Sequence, residues 1–584
     1  MRFFVEIVNQ PSSFFSFALT KCRFYLYLHL VSANSGIQTN SYILRNACKV
    51  KLQQRMKNPT YSLLQHAMAI ILVLMALQVR AIEIEGNGIR FTIDNATRTT
   101  SVSGTDNTLA TIVIPSAIEH GGVRYPVVGI ADYALATADN LREITIPNSI
   151  KSIGEGGFKG CSNLTSIRIP NSVTSIGKEA FNGCSGMTSA TISDSVTAIG
   201  SRLFFRCTSL TSIKIPSSVT SIWYDAFYET PWYNNLPDGP VYINNVLFRY
   251  KGIMPLNTSL EVREGTVSIS PFAFYRSISL ASIKIPGSVT SIGMEAFSGC
   301  SNLSSVKIPN SVVSIGNSAF IGTPWYDNKP NGVVYINNVL YGYKGTMPTN
   351  TKLRVRKGTV TISSFAFSGC SNLTSVRIPN SVTSIEPHAF SGCTGLASIE
   401  IPNSVTDINL DVFFGCTGLT SLTISAQNIG NEAFRGFPKL SHLTIGEGVR
   451  HIGARAFAEC PVKSVTIPNS TASIEEGCFY KCPKLSSVTI GDSLISIPKG
   501  CFALCTELET VRIGKRVSSV EEHAFTFCEE IKDIFSYVDT PPKTVENSFG
   551  TLSQTTLHVP HSSLESYKTA KPWHFAKSII PTLE

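Results

Sequence analysis

Apolar positions recur along this chain every 23 residues, a period far longer than that of a helix or a strand. The segment Leu164–Cys184, LTSIRIPNSVTSIGKEAFNGC, sets Leu164, Ile167, Ile169, Val173, Ile176, Ala180, Phe181 and Cys184 among polar residues. Nearly the same pattern returns from Leu280, Leu303 and Leu373. Within the unit, Thr165–Ile169 is β-branched and alternating, which predicts a short strand. Pro170 ends that strand, because proline has no N–H to donate to a ladder. Val173–Ile176 predicts a second extended piece, Gly177 a bend, and Lys178–Gly183 no more than one helical turn.

Aligned on the leucine, fifteen units run from the one opening at Leu141 to the one opening at Leu508. A fixed period of this length predicts a solenoid, in which each coil buries its apolar side only against its neighbours. A phenylalanine column from Phe158 to Phe525 is filled in all fifteen units. Stacked coils would set these rings about 4.8–5 Å apart, each contributing roughly 2–3 kcal/mol by burial. The expected fold is therefore a repeat solenoid, mainly β with short helical turns, carrying one continuous core. Residues 82–129 read as an N-terminal β cap, 130–530 as the solenoid and 531–584 as a C-terminal cap. In that second cap, Ser562 and Glu565 have the spacing of a capping box before a short helix. Tyr567, Trp573 and Phe575 are placed to cover the last coil.

The unit Leu-x-x-Ile-x-Ile-Pro-x-x-Val-x-x-Ile-Gly-x-x-Ala-Phe-x-x-Cys resembles the BspA-like, treponemal-type leucine-rich repeat, from about Ile130 to Phe549. The resemblance implies a secreted or surface-exposed bacterial protein. Several members of that family are adhesins for host matrix proteins or for other bacteria.

The start of the chain agrees with export. From Met56, MKNPTYSLLQHAMAIILVLMALQVRA offers a lysine, an apolar run Ala67–Leu77 and a small residue at Ala81. That order and length predict a signal peptide over 56–81, too short in its apolar core for a lasting membrane span. Residues 1–55 carry no repeat and read as a mis-annotated leader, with translation starting at Met56. The net charge of +9 is concentrated here: residues 1–81 hold nine Lys/Arg and one acid, leaving 40 basic and 39 acidic residues. The rest of the chain is near neutral, so the charge gives no reason to expect a nucleic-acid partner.

Fifteen cysteines in an exported chain normally suggest disulfides. Here most fall one repeat apart, as in Cys161, Cys184 and Cys207, which reads as a packing column; bridges between coils and a thiolate zinc site are the alternatives. The histidines are scattered, and no HExxH, G-x-S-x-G or phosphate loop occurs. The reading is of a binding protein and not an enzyme, without metal or cofactor.

Two departures from the unit are the candidate sites. Residues 233–256 and 326–349 are inserts lying 93 residues apart and identical at two thirds of positions. In each, VYINNVL predicts two short strands about an Asn-Asn turn. Tyr242 and Tyr250, with Tyr335 and Tyr343, then belong either to a hairpin packed on the side of the stack or to a flap that touches ligand. The second departure is the strand position between the isoleucines, occupied by Arg168, Lys214, Lys284, Lys307, Arg354 and Arg377. Strand alternation points these cations outward, where they attract an acidic partner or merely keep an exposed sheet soluble. The expected partner is a protein contacted over the solenoid face outside the cell, with a glycan or another bacterial surface component as the alternative.

Overall fold

The computed structural model describes residues 82–95, 97–545 and 547–582. Residues 56–81, expected to be a signal peptide, and residues 1–55, expected to be a leader, lie outside the described residues. From Glu83 onward the chain forms one compact unit, a solenoid of short parallel strands.

An ordinary coil is hydrogen-bonded to its neighbours on three sides. On the first, Ser166–Arg168 pairs in register with Ser189–Thr191, which pairs in turn with Ser212–Lys214. On the second, Ser175–Ile176 pairs with Ser152–Ile153. The third is the turn around the phenylalanine: the N–H groups of Gly156, Phe158 and Gly160 donate to the carbonyls of Lys178, Ala180 and Asn182, at 3.0, 2.8 and 2.7 Å. Residues at positive φ, Gly156 and Gly160 here, punctuate this turn. Gly177 is needed for a different reason. A Cβ there would lie 2.4 Å from the Glu155 nitrogen of the preceding coil.

All eight inward positions of the Leu164 unit are buried. The rings stack at 5.2–5.6 Å through most of the column, for example Phe274–Phe297 at 5.3 Å and Phe297–Phe320 at 5.2 Å. Two expectations about this column are corrected. The stack is broken at both inserts: Phe227 meets Trp232 and Phe248 at an angle, and Phe320 likewise meets Trp325 and Tyr341. The buried residues accordingly fall into three groups that meet at the inserts. The column also runs one ring further than the repeat shows. Phe549 stacks on Phe525 at 5.1 Å, and Trp573 closes it edge-on at 5.0 Å.

The inserts explain the breaks, because each supplies an extra coil that lacks the first strand. After the short helix Pro231–Asn234, strands Gly239–Ile243 and Val246–Lys251 form an antiparallel hairpin. Its second strand then joins the stack, Val246 and Leu247 pairing in parallel with Ser268 and Ile269. Tyr250 donates its N–H to the Ala273 carbonyl, the bond a phenylalanine makes in an ordinary coil. The second insert repeats this with Pro324–Asp327, Gly332–Ile336 and Val339–Lys344. A hairpin that only covers the side of the stack is therefore not what forms.

At the far end, strand Ser578–Pro581 pairs with Thr556–Val559, and the helix Leu564–Thr569 buries Tyr567. No side chain caps that helix at Ser563, the residue before it, and Phe575 is 59% exposed, so the expected capping box and the third covering ring are absent there. Among the described residues, no helix is long and apolar enough to cross a membrane.

Candidate functional site

The first strand ladder positions all six predicted cations, and each is exposed. They form three groups and not one continuous line. Arg168 and Lys214 flank Thr191. Beyond the first insert, Glu261, Lys284 and Lys307 share a register position. Beyond the second come Arg354 and Arg377, followed by Glu400, Thr423 and Thr444. The inserted coils separate the groups, because their hairpins add a strand to the second ladder and none to the first. Lys284 is partly neutralised by Glu261 at 3.1 Å. Among the described residues, no ion pair forms at Arg168, Lys214, Lys307, Arg354 or Arg377.

The four tyrosines are half-buried and engaged within the chain. The Arg263 N–H donates to the Tyr242 hydroxyl at 3.0 Å, and the Arg263 guanidinium lies 4.4 Å from the ring centre. Arg356 clips Tyr335 with the same two distances. Each guanidinium also donates to an insert carbonyl, that of Asn244 or Asn337. Tyr250 packs on Phe274, and Tyr343 lies against the third core group. These contacts hold the hairpin to the following coil.

The thirteen described cysteines are free thiols, and they do more than fill space. Cys184 donates from Sγ to the Phe158 carbonyl at 3.1 Å, and Cys207, Cys393 and Cys528 do the same toward Phe181, Phe367 and Phe502 at 3.1 Å each. Burial pushes the Cys300 and Cys460 thiols up to about 12, so they stay protonated at neutral pH. Among the described residues, no group of three or more His, Cys, Asp or Glu is arranged to hold a metal ion.

Sequence reading missed the cations around Arg354. Lys352, Arg356 and Lys357 are exposed alongside it. Aligning the two blocks at 93-residue spacing reveals them: TSLEVREGT at 258–266 becomes TKLRVRKGT at 351–359.

Turn-side apolar groups are a separate surface, where Tyr228 and Tyr275 are 45% and 41% exposed.

The profile of the BspA type leucine rich repeat region, six copies long, matches residues 128–253, 233–345, 341–460 and 427–549. No curated protein matches the chain. Among solved structures, it is similar to a leucine-rich repeat protein from Bacteroides ovatus, at 22% identity over 79% of this chain and 100% of that one, with a TM-score of 0.28. It is also similar to the T. pallidum Leucine Rich Repeat protein, at 22% identity over 42% and 90% of the two chains, TM-score 0.24. The pneumococcal vaccine antigen PcpA is 16% identical over 86% and 99%, TM-score 0.24. With its repeat unit matched through more than half its length, the chain belongs to the BspA-type leucine-rich repeat family.

Proposed function

We propose that this protein acts outside the cell, secreted or at its surface, as a binding and adhesion scaffold that meets a protein partner over the first strand ladder. The observation that carries this reading is the set of exposed cations on that face with no ion pair among the described residues. Inward positions are dictated by stacking, whereas outward strand positions contribute little to it, so their chemistry is free to serve a partner. An extended row of coils also offers the broad contact surface that solenoids use for binding. Export rests on the signal-like segment 56–81, with cleavage after Ala81.

The test screens the exported protein against matrix proteins, glycans and whole bacteria, then follows the protein partner found. Changing Arg168, Lys214 and Lys307 together to Ser should weaken binding while folding is retained, and added salt should weaken it too, since exposed charges are screened over about 10 Å at 0.1 M. Loss through Tyr228→Ala with Tyr275→Ala, without effect from the triple change, would move the site to the turn side and refute the strand-face reading.

A further inference from the structure

The duplicated blocks provide an internal control for what the scaffold itself requires. Their core positions agree: Leu260 and Val262 in the first coil correspond to Leu353 and Val355 in the second. The clip agrees as well, Arg263 with Tyr242 matching Arg356 with Tyr335. What differs is the outward charge. The first coil carries Ser259, Glu261 and Glu264, and the second carries Lys352, Arg354 and Lys357. In the first, Glu261 pairs with Lys284 of the next coil at 3.1 Å. In the second, Arg354 stands in register with Arg377, and like charges on adjacent strands repel. With Arg356, five exposed cations gather on two neighbouring coils, and among the described residues none forms an ion pair. Glu400, in register with Arg377 on its far side, is the nearest acid along the ladder and is not within ion-pair distance of it.

We infer that this basic coil, residues 351–358 with Arg377, binds a polyanionic polysaccharide bearing sulfate or carboxylate groups. The inference adds a second ligand, distinct from the protein partner, on the coils after the second insert, and rests on the reading that this face is the one used. Lys352 and Arg354 alternate within the strand Thr351–Arg354, so they share one side about 6.6 Å apart. They form a row across the coil, and Arg377 widens it along the stack. Guanidinium groups match the paired oxygens of sulfate and carboxylate. A repulsive cluster that the scaffold does without in its other copy is relieved by an anion.

Chemistry around the row favours a saccharide over the other polyanions. No large apolar side chain is exposed within 351–358 or 373–377, whereas protein interfaces are anchored by buried aromatic and aliphatic groups. Single-stranded nucleic acid is held by stacking on exposed rings, and Tyr335, beside the row, is already covered by Arg356.

The experiment measures binding of the full exported protein to immobilised heparin across a salt series, with polyglutamate, duplex DNA and uncharged dextran as parallel probes. Heparin should bind, and the other three should bind more weakly. Lys352→Ser, Arg354→Glu and Lys357→Glu together install the first block's residues, which a coil of this kind already accommodates. That variant should keep its thermal midpoint, lose on the order of tenfold or more in heparin affinity, and show a salt slope shallower by roughly the number of cations removed. The reverse change, Ser259→Lys, Glu261→Arg and Glu264→Lys, should strengthen binding. Heparin binding that survives the first exchange overturns the inference. So does polyglutamate, DNA or dextran binding as tightly as heparin. A protein that retains a partner sensitive to the Arg168, Lys214 and Lys307 change but ignores heparin overturns this site alone and leaves the proposed function standing.

Discussion

Replacing Phe297 by Ala tests whether the ring column acts as a shared core. The ring is fully buried and stacks nearly parallel on Phe274 and Phe320, at 5.3 and 5.2 Å with interplanar angles of 7°. Burying a phenylalanine ring contributes roughly 2–3 kcal/mol, and a cavity left in its place adds to the cost of removing it. Alanine recovers a small part of that, and the void left between two hydrogen-bonded coils cannot collapse freely. The expected loss is about 3–5 kcal/mol, in line with large-to-small core changes elsewhere. Because coils contact only their neighbours, the loss should be local. Native-state hydrogen exchange should show weakened protection across residues 274–320 and little change around Phe479–Phe525. Phe525→Ala should cost as much as Phe297→Ala, since Phe549 stacks on it and Trp573 closes the end. A Phe297→Ala cost below about 1 kcal/mol, or an equal loss of protection in distant coils, would refute the view that the rings form a locally coupled core.

Three further outcomes follow from the coil geometry. Buried thiols make the fold sensitive to alkali: Cys300 and Cys460 ionise near 9 when unfolded and at about 12 when folded, so the unfolded chain gives up protons first and stability falls as pH rises from 9 toward 12. At pH 10 each contributes a loss of roughly 1.4 kcal/mol, and circular dichroism with thiolate absorbance should show unfolding and ionisation together; ionisation with intact structure would contradict this. Cys184→Ser keeps a donor facing the Phe158 carbonyl and should cost about 1 kcal/mol, less than Cys184→Val, which cannot donate; the opposite order in urea unfolding would show that thiols only pack. Gly177→Ala forces a Cβ to 2.4 Å from the Glu155 nitrogen and should cost about 1–3 kcal/mol or more, whereas a neutral effect on the melting midpoint would mean the coils separate easily.

Much of the architecture was legible in the repeat itself. In a stack, position i of one coil packs on position i + 23 of the next, so the recurrence of leucine, isoleucine, phenylalanine and cysteine names the buried set directly. Proline after the strand was readable for a local reason, its missing donor; glycine after the second extended piece was readable as a bend, but its need, a Cβ clash with Glu155 of the preceding coil, lies in the stack. The outward direction of Arg168, Lys214 and their counterparts followed from strand alternation. The period could not reveal what interrupts it. Phe549 follows Phe525 by 24 residues in a degenerate unit, and only the folded turn shows it stacking on Phe525.

The sequence determined which side chains face inward, because every coil must fill the same space against an almost identical neighbour. Tertiary structure alone decided how the inserts are used: backbone groups on the coil after each insert are paired by Val246–Leu247 and Val339–Leu340, which draws the hairpins into the stack and breaks the ring column. It also decided the electrostatics of the strand face. Residues 23 apart become neighbours across a ladder, so Glu261 meets Lys284 in one block while Arg354 meets Arg377 in the other. The 23-residue period already names those neighbours; only the folded side chains show which of them close an ion pair, as Glu261 does with Lys284 at 3.1 Å and Glu400, in register with Arg377, does not.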